Sequence, residues 1–292
     1  ATPSLESIYN VTRSRYTELQ LPERAGDAVH PNFYLIDMRN QSANNGLSPK
    51  LLQHIQQHIE QNGQVLLFLN RRGYAPTLLC HNCGWTAVCE RCDARLTLHQ
   101  QPKYLHCHHC NATKPVYKTC PKCNSDQVVA LGLGTERIEE TLQEIFPAAS
   151  LMRIDRDSTS RKGSMEQMLT AIHDNHCQIL IGTQMLAKGH HFPNITMAAI
   201  LNVDNGLLSS DFRASEQTAQ LIMQVAGRAG RAAKTGSVYI QTYNPKHSLL
   251  QCLIKQGYQA FATHNLTERQ AASLPPFNHF ALIRAEAKNK TA

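Results

Sequence analysis

An α/β domain with a parallel sheet, helices on both of its faces and a small second unit set into it is predicted by three observations. Short apolar runs alternate with segments of helical period along most of the 292 residues, the order that builds a parallel sheet through crossover helices. One run, Val65-Leu66-Leu67-Phe68-Leu69, is apolar without interruption, as strands buried on both faces are. Eight cysteines form four C-x-x-C pairs between residues 80 and 123, a local pattern foreign to such a sheet and therefore an insertion.

Taken in order, Thr2-Pro3 reads as the N-cap and first position of a helix over 5–11, and residues 34–38 read as a strand. Ser48-Pro49 opens a firmer helix with Leu51, Leu52, Ile55 and Ile59 on one face and Gly63 as its stop. The strand at 65–69 follows, with Asn70-Arg71-Arg72-Gly73 at its carboxyl end. A strand-like run at 128–133 leads out of the cysteine-rich unit. Ile138, Leu142 and Ile145 then give 135–146 a helical period. Residues 151–154, 179–181, 197–203 and 238–242 are strand-like, separated by helical stretches near 165–172 and 215–225. Beyond Pro245, residues 248–272 read as helix, Leu274-Pro275-Pro276 marks a boundary, and 279–287 reads as the start of a further strand. The expected divisions are a main domain at 16–79 and 124–245, the insertion at 80–123, a helical segment at 246–273 and the start of another domain at 274–292.

Composition bounds the partners. At 42% hydrophobic and 17% charged residues, the chain is ordinary globular material. It has no apolar run long enough to span a membrane and no signal peptide, and metal-type cysteine spacing fits a reducing cytosol. It opens Ala1-Thr2-Pro3 without Met, so a piece of something longer is expected. The formal charge is +7; eight thiolates with two zinc ions would remove four, leaving about +3. Nucleic-acid binding must then come from local clusters rather than bulk basicity.

Two residues between thiolates let one tight turn present both sulfurs to a tetrahedral ion, so Cys80, Cys83, Cys89, Cys92, Cys107, Cys110, Cys120 and Cys123 are expected to fill two closed, structural four-cysteine zinc sites. Iron-sulfur ligation or disulfides are the alternatives. A hairpin over 96–98 and 104–105 favours a nested pairing, Cys89/Cys92/Cys107/Cys110 inside and Cys80/Cys83/Cys120/Cys123 outside. A sequential pairing would have to close over residues 84–88. Loop lengths alone make the outer site depend on the inner hairpin, so loss of the inner metal is expected to disorder the whole insertion. Trp85 and Tyr104 read as packing or as stacking surfaces, and His81, His99, His106, His108 and His109 as solvated or partner-facing.

Three segments carry phosphate chemistry. Gln224-Val225-Ala226-Gly227-Arg228-Ala229-Gly230-Arg231 spaces two guanidinium forks three residues apart among glycines that permit close approach, which suits a triphosphate; two solvated arginines on a small-residue helix would read the same. Thr183 ends a buried strand, where a hydroxyl and amides can hold a phosphate, with Lys188-Gly189 beyond it. Arg71 and Arg72 form the third cluster. All three are expected on one edge of the sheet. No G-x-x-x-x-G-K-[ST] and no Asp-Glu motif after a strand occur, so the chain alone is expected neither to bind ATP tightly nor to hydrolyse it.

The Gln224–Arg231 segment resembles motif VI of superfamily 2 helicases, Gly182-Thr183-Gln184 with Lys188-Gly189 resembles motif V, and Ala1-Thr2-Pro3-Ser4 resembles the end of motif III. Together with eight cysteines following Leu69-Asn70-Arg71-Arg72-Gly73, they resemble the bacterial replication-restart helicase family PriA (primosomal protein N′). Arg153-Ile154-Asp155-Arg156-Asp157 and Asp211-Phe212-Arg213 are similar to further stretches of that family. His191 stands where many superfamily members carry an Asp toward the ribose. The resemblance implies the second RecA-like lobe of a 3′-5′ DNA helicase, with residues 1–15 as the end of the first lobe and linker, and ATP with Mg2+ held between the lobes. It implies Arg231 as the finger on the γ-phosphate with Arg228 beside it, Thr2 and Gln224 as nucleotide-coupling residues, and Thr183, Lys188 and Arg71 as DNA contacts. It further implies forked and single-stranded DNA, primosome proteins and single-stranded-DNA-binding protein as partners of a cytoplasmic monomer. A zinc-ribbon docking module without a motor, or a translocase on RNA, is the alternative.

Overall fold

The computed structural model describes residues 2–19, 31–41, 43–69, 77–92, 95–100, 103–107, 110–131, 135–154, 158, 164–183, 192, 194–207, 209, 211–230 and 235–281. Helix α1 (Leu5–Thr12) leads to strand β1 (Asn32–Asp37), α2 (Pro49–Glu60), β2 (Gln64–Leu69) and β3 (Thr77–Cys80). Then come β4 (Thr97–Gln100), β5 (Lys103–His106), β6 (Thr113–Lys114) and β7 (Val128–Leu131). The chain continues through α3 (Thr135–Ile145), β8 (Leu151–Ile154), α4 (Ser164–His173), β9 (Ile179–Gly182) and β10 (Ile195–Leu201). It ends with α5 (Asp204–Leu207), α6 (Ala214–Ala226), β11 (Ser237–Thr242) and α7 (Ser248–Ala271).

Six strands form one sheet in the order β1-β11-β10-β2-β9-β8, every pairing parallel. The central β2 is buried at all six positions, which is why its sequence is apolar throughout rather than alternating. Its pleat divides the core in two. Leu66 and Phe68 join the layer of α1, α4, α6 and α7, while Val65, Leu67 and Leu69 join that of α2 and α3. This is the predicted α/β architecture, a parallel sheet with helices on both faces.

Local chemistry sets the helix ends. Ser48 caps α2 by accepting from the Leu51 amide, with Pro49 in the first turn. The left-handed residue after α2 is Asn62 (φ 56°) rather than Gly63. Gly63 donates back to the His58 carbonyl at 2.8 Å, and a Cβ there would lie 2.2 Å from Thr196 Oγ1. Close approach, not φ, requires glycine at 63. Ser4, not Thr2, caps α1, accepting from Ser7 N at 3.1 Å. The predicted helix beyond Pro245 is two helices joined at Gly257 (φ 83°), where glycine alone bends without strain. Residues 279–281 lie in no strand, and the rest of the strand expected from there falls outside the described residues.

One buried ion pair ties three helices together. Arg269 of α7, 2% exposed, donates to Glu216 of α6 at 2.8 Å and to the Phe212 carbonyl at 3.1 Å. Glu216 also accepts from the Leu5 amide that opens α1 (2.9 Å). The Pro3 carbonyl accepts from the Tyr258 hydroxyl at 2.6 Å. Among the described residues no helix is long and apolar enough to cross a membrane.

The cysteine-rich unit is a second, antiparallel sheet in the order β6-β5-β4-β3-β7. The boundaries drawn at 80 and 123 fall inside it. β7, expected as the way back into the main domain, pairs with β3 across four registered positions from Thr77↔Leu131 to Cys80↔Val128.

Candidate metal centres and phosphate-facing loops

Three of the four C-x-x-C pairs share one turn. Gly84, Asn111 and Asn124 each follow the second cysteine, each at positive φ (73°, 59° and 59°), the conformation that Gly and Asn adopt most cheaply. Each donates its amide to the carbonyl of the first cysteine, Cys80, Cys107 or Cys120, at 2.9 Å. The first cysteine in turn donates to Trp85, Ala112 or Ser125, at 2.7, 2.8 and 2.7 Å. Both sulfurs of a pair thus leave the turn on one side. The sequence signal for these supporting residues, Gly or Asn directly after the second cysteine, is not part of the C-x-x-C reading.

The turns converge in two groups, Cys80/Cys83/Cys120/Cys123 and Cys89/Cys92/Cys107/Cys110, with all four sulfurs of each within 4.8 Å of one another. Cross-pair distances are 3.6 Å (Cys80 to Cys123), 3.7 Å (Cys83 to Cys120) and 3.5 Å for both Cys89 to Cys110 and Cys92 to Cys107. A zinc tetrahedron with bonds of about 2.3 Å has edges of about 3.8 Å, whereas a disulfide is about 2.05 Å. No disulfide joins these cysteines, which stand in the nested arrangement, and both clusters are compatible with structural zinc. Amides of Arg91 and Cys110 donate to Cys89 and Cys107 sulfurs at 3.4 and 3.5 Å, as thiolate stabilisation requires. Burial opposes ionisation of Cys120, but the amides of Cys123 and Lys122 hold its thiol down to about 7.

The inner cluster sits in the small core of Leu78, Ala87, Leu96, Leu98 and Leu105. Trp85 packs edge-on against Tyr117 at 5.3 Å, and Tyr104 stacks on His99 at 4.8 Å. The outer cluster is held differently. Cys80 ends β3, the His81 amide donates to the Gln127 carbonyl at 2.8 Å, and β3 is paired with β7. The outer site thus has a support besides the inner hairpin it is expected to depend on: base strands outside the hairpin also bring the distant pairs together.

His81, expected solvated or partner-facing, is wedged against the parallel sheet. Its Nδ1 lies 3.1 Å from the Tyr243 hydroxyl, its Nε2 bonds the Gln41 carbonyl, and its own carbonyl accepts from Asn40 at 3.3 Å. Tyr243 is fixed by Asp204, whose buried carboxylate accepts from Tyr243 N (3.0 Å), Thr242 Oγ1 (2.7 Å) and Asn244 Nδ2 (3.1 Å). Burial, with the Asp204 charge behind it, pushes the Tyr243 phenol up to about 12. His108 and His109 lie outside the described residues.

The segments expected to face phosphate do not all share an edge. Thr183 follows β9 at the carboxyl edge, and β2, which precedes Arg71 in sequence, is its neighbour. Helix α6 runs back against the strands, so Arg228 emerges at the opposite, amino edge: Gly230 (φ 71°) donates to Ile195, the first residue of β10, at 3.1 Å. A Cβ on Gly236 would lie 2.5 Å from the Ala229 carbonyl carbon and Gly230 nitrogen, so this loop is seated tightly on the start of β11. Periodicity identifies a crossover helix but not the edge at which its last residue arrives. Gln224 follows Glu216 and Gln220 at intervals of four on α6, and Gln220 reaches the Pro3 carbonyl beside Thr2 at 3.5 Å. Arg71, Lys188 and Arg231 lie outside the described residues.

Residues 89–115 match the family described as the PriA DNA helicase Cys-rich region (CRR) domain, and residues 122–233 match the helicase conserved C-terminal domain. The chain is 55% identical over 289 residues to replication restart protein PriA of Haemophilus influenzae, covering 99% of this chain and 40% of that protein. It is 41% identical over 286 residues to the protein of the same name from Bacillus subtilis, covering 97% and 36%. It therefore spans about two fifths of the length of these relatives. Among solved structures it aligns with the C-terminal domain of the DEAD-box protein Dbp5 at 10% identity, covering 79% of this chain and 85% of that one, with a TM-score of 0.40.

Proposed function

Because this chain belongs, over the segment it spans, to the replication restart protein PriA family, we propose that it forms the second lobe of an ATP-dependent 3′-5′ DNA helicase acting at stalled or repaired forks. The observation that carries the reading is a sheet with two four-cysteine sites, set into a parallel-sheet lobe whose α6 ends in the Gly-Arg-x-Gly-Arg loop. In this reading the amino edge faces nucleotide. Arg231 neutralises charge developing on the γ-phosphate, and Arg228 and Gln224 position it, once another lobe presents ATP and Mg2+. The carboxyl edge faces DNA, with the Thr183 hydroxyl on the single-strand backbone and Lys188 and Arg71 adding charge. Opposite edges for the two ligands let one rigid lobe pull on DNA as its nucleotide side closes.

Thr2, beside the α1–α6 contact, couples the linker to that closure. The zinc-bearing sheet serves duplex opening and the docking of primosome proteins and single-stranded-DNA-binding protein, in a monomer in the bacterial cytoplasm. In the full-length protein, Arg231→Ala is expected to lower ATP turnover by about 10³-fold with DNA affinity retained; lost affinity with normal turnover would assign Arg231 to DNA. Unwinding of a forked DNA but not of an RNA duplex separates this reading from an RNA translocase, and absence of both leaves a docking module.

A further inference from the structure

We propose that His81 is a positioning residue, a two-sided strut that locks the outer cysteine site to the turn after β11 so that the cysteine-rich sheet moves as one body with the parallel sheet. The coupling to unwinding rests on the function proposed above; the strut itself does not.

Four observations meet at one place. A carbonyl only accepts, so His81 Nε2 donates to Gln41, and in the neutral ring Nδ1 is left to accept from the Tyr243 hydroxyl. The imidazole therefore joins two separate loops of the large sheet, one after β1 and one after β11. Gly84, three residues on in the same turn, faces the Tyr243 carbonyl so closely that a Cβ would lie 3.2 Å from it and 3.6 Å from Arg39 Cδ. The metal turn is thus gripped on two sides of Tyr243. The far side of Tyr243 is held by Asp204, which opens α5 in the segment between β10 and α6. Arg95, from the inner half of the cysteine-rich unit, reaches toward the same region: burial pulls its guanidinium down and the Asp204 carboxylate opposes that. A contact chain thus runs from Cys80 and Cys83 through His81 and Tyr243 to Asp204 and the segment that enters α6.

The test is Tyr243→Phe in the full-length protein, which deletes one hydroxyl and keeps the ring. Two zinc ions per chain are expected to remain, one of them released to a chelator about fivefold faster, as loss of one hydrogen bond to the opening equilibrium implies. DNA-stimulated ATP turnover is expected within twofold of the parent, while strand separation per ATP falls severalfold. Unchanged zinc release overturns the strut. Faster release with unchanged strand separation per ATP overturns the coupling. Loss of both zinc ions, or ATP turnover and unwinding falling in equal proportion, assigns Tyr243 to folding and also overturns the proposal. Faster release in a protein whose parent unwinds no DNA leaves the strut standing and removes the helicase reading instead.

Discussion

Replacing Cys107 by serine removes one sulfur from the inner cluster, and the two supports of the outer cluster decide how far the damage spreads. The β4–β5 hairpin would lose its metal and, with a core of only a few leucines, its order. The base strands of the outer cluster share with that hairpin the Thr77↔Thr97 pair and the packing of Leu78 and Val128, but the cluster keeps the four β3–β7 positions, the His81-to-Gln127 bond and the contacts to Tyr243 and Gln41. Structural zinc in small sites contributes about 10–16 kcal/mol. If the lost hairpin removes about 3 kcal/mol of support, roughly 7–13 remain, a dissociation constant of about 10 µM or tighter. Cys107→Ser is therefore expected to hold one zinc, Cys120→Ser also one, and the double variant none. Metal analysis of the purified variants gives the count, and amide exchange at 128–130 reports whether the base strands stay paired. Zinc-free Cys107→Ser protein with unprotected amides at 128–130 would refute the independence of the two sites.

Gly236→Ala drives a methyl into the backbone of Ala229 and Gly230; misplacing the neighbouring Arg228 by about 1 Å is expected to lower ATP turnover of the full-length protein up to about 10²-fold, with zinc content unchanged in the same preparation. Glu216→Ala leaves buried Arg269 with only the more distant Glu6 carboxylate, 3.8 Å away, and frees the start of α1, so urea unfolding is expected to show a loss of about 3 kcal/mol. Burial lowers the pKa of His58, aided by His54, and burial also lowers that of His247. The unfolded chain takes up these protons near the ordinary 6.5 and the folded chain only at lower pH, so stability is complete above 6.5 and declines as pH falls from there through the folded values. A His58→Gln, His247→Gln variant is expected to flatten that slope in urea titrations run with zinc monitored, and an unchanged slope would place its origin elsewhere.

The elements of the large sheet were legible because their signals are local: an unbroken apolar run for β2, Ser48-Pro49 for the start of α2, a helical period for α3. The cysteine clusters were legible for the same reason, since two residues of spacing define a turn. What stayed hidden is long-range. That β7 belongs with β3 depends on a partner some fifty residues earlier, and both runs look like any short strand. That His81 bears on Tyr243, 162 residues away, has no counterpart in composition or spacing, so a histidine in a cysteine-rich loop reads as solvated. Ser4 displaced Thr2 as a cap because Leu5 must enter the core beside Glu216, a tertiary demand that outranks the appeal of a Thr-Pro start.

The pairing of Thr77 with Leu131 places the entry and exit of the cysteine-rich unit on adjacent strands, about 5 Å apart. A chain that leaves and returns through neighbouring doors interrupts its host no more than a short turn would. The unit can accordingly be gained, lost or exchanged in one in-frame event without re-registering any strand of the larger sheet, and an engineer can replace residues 81–127 by a hairpin turn on the same grounds.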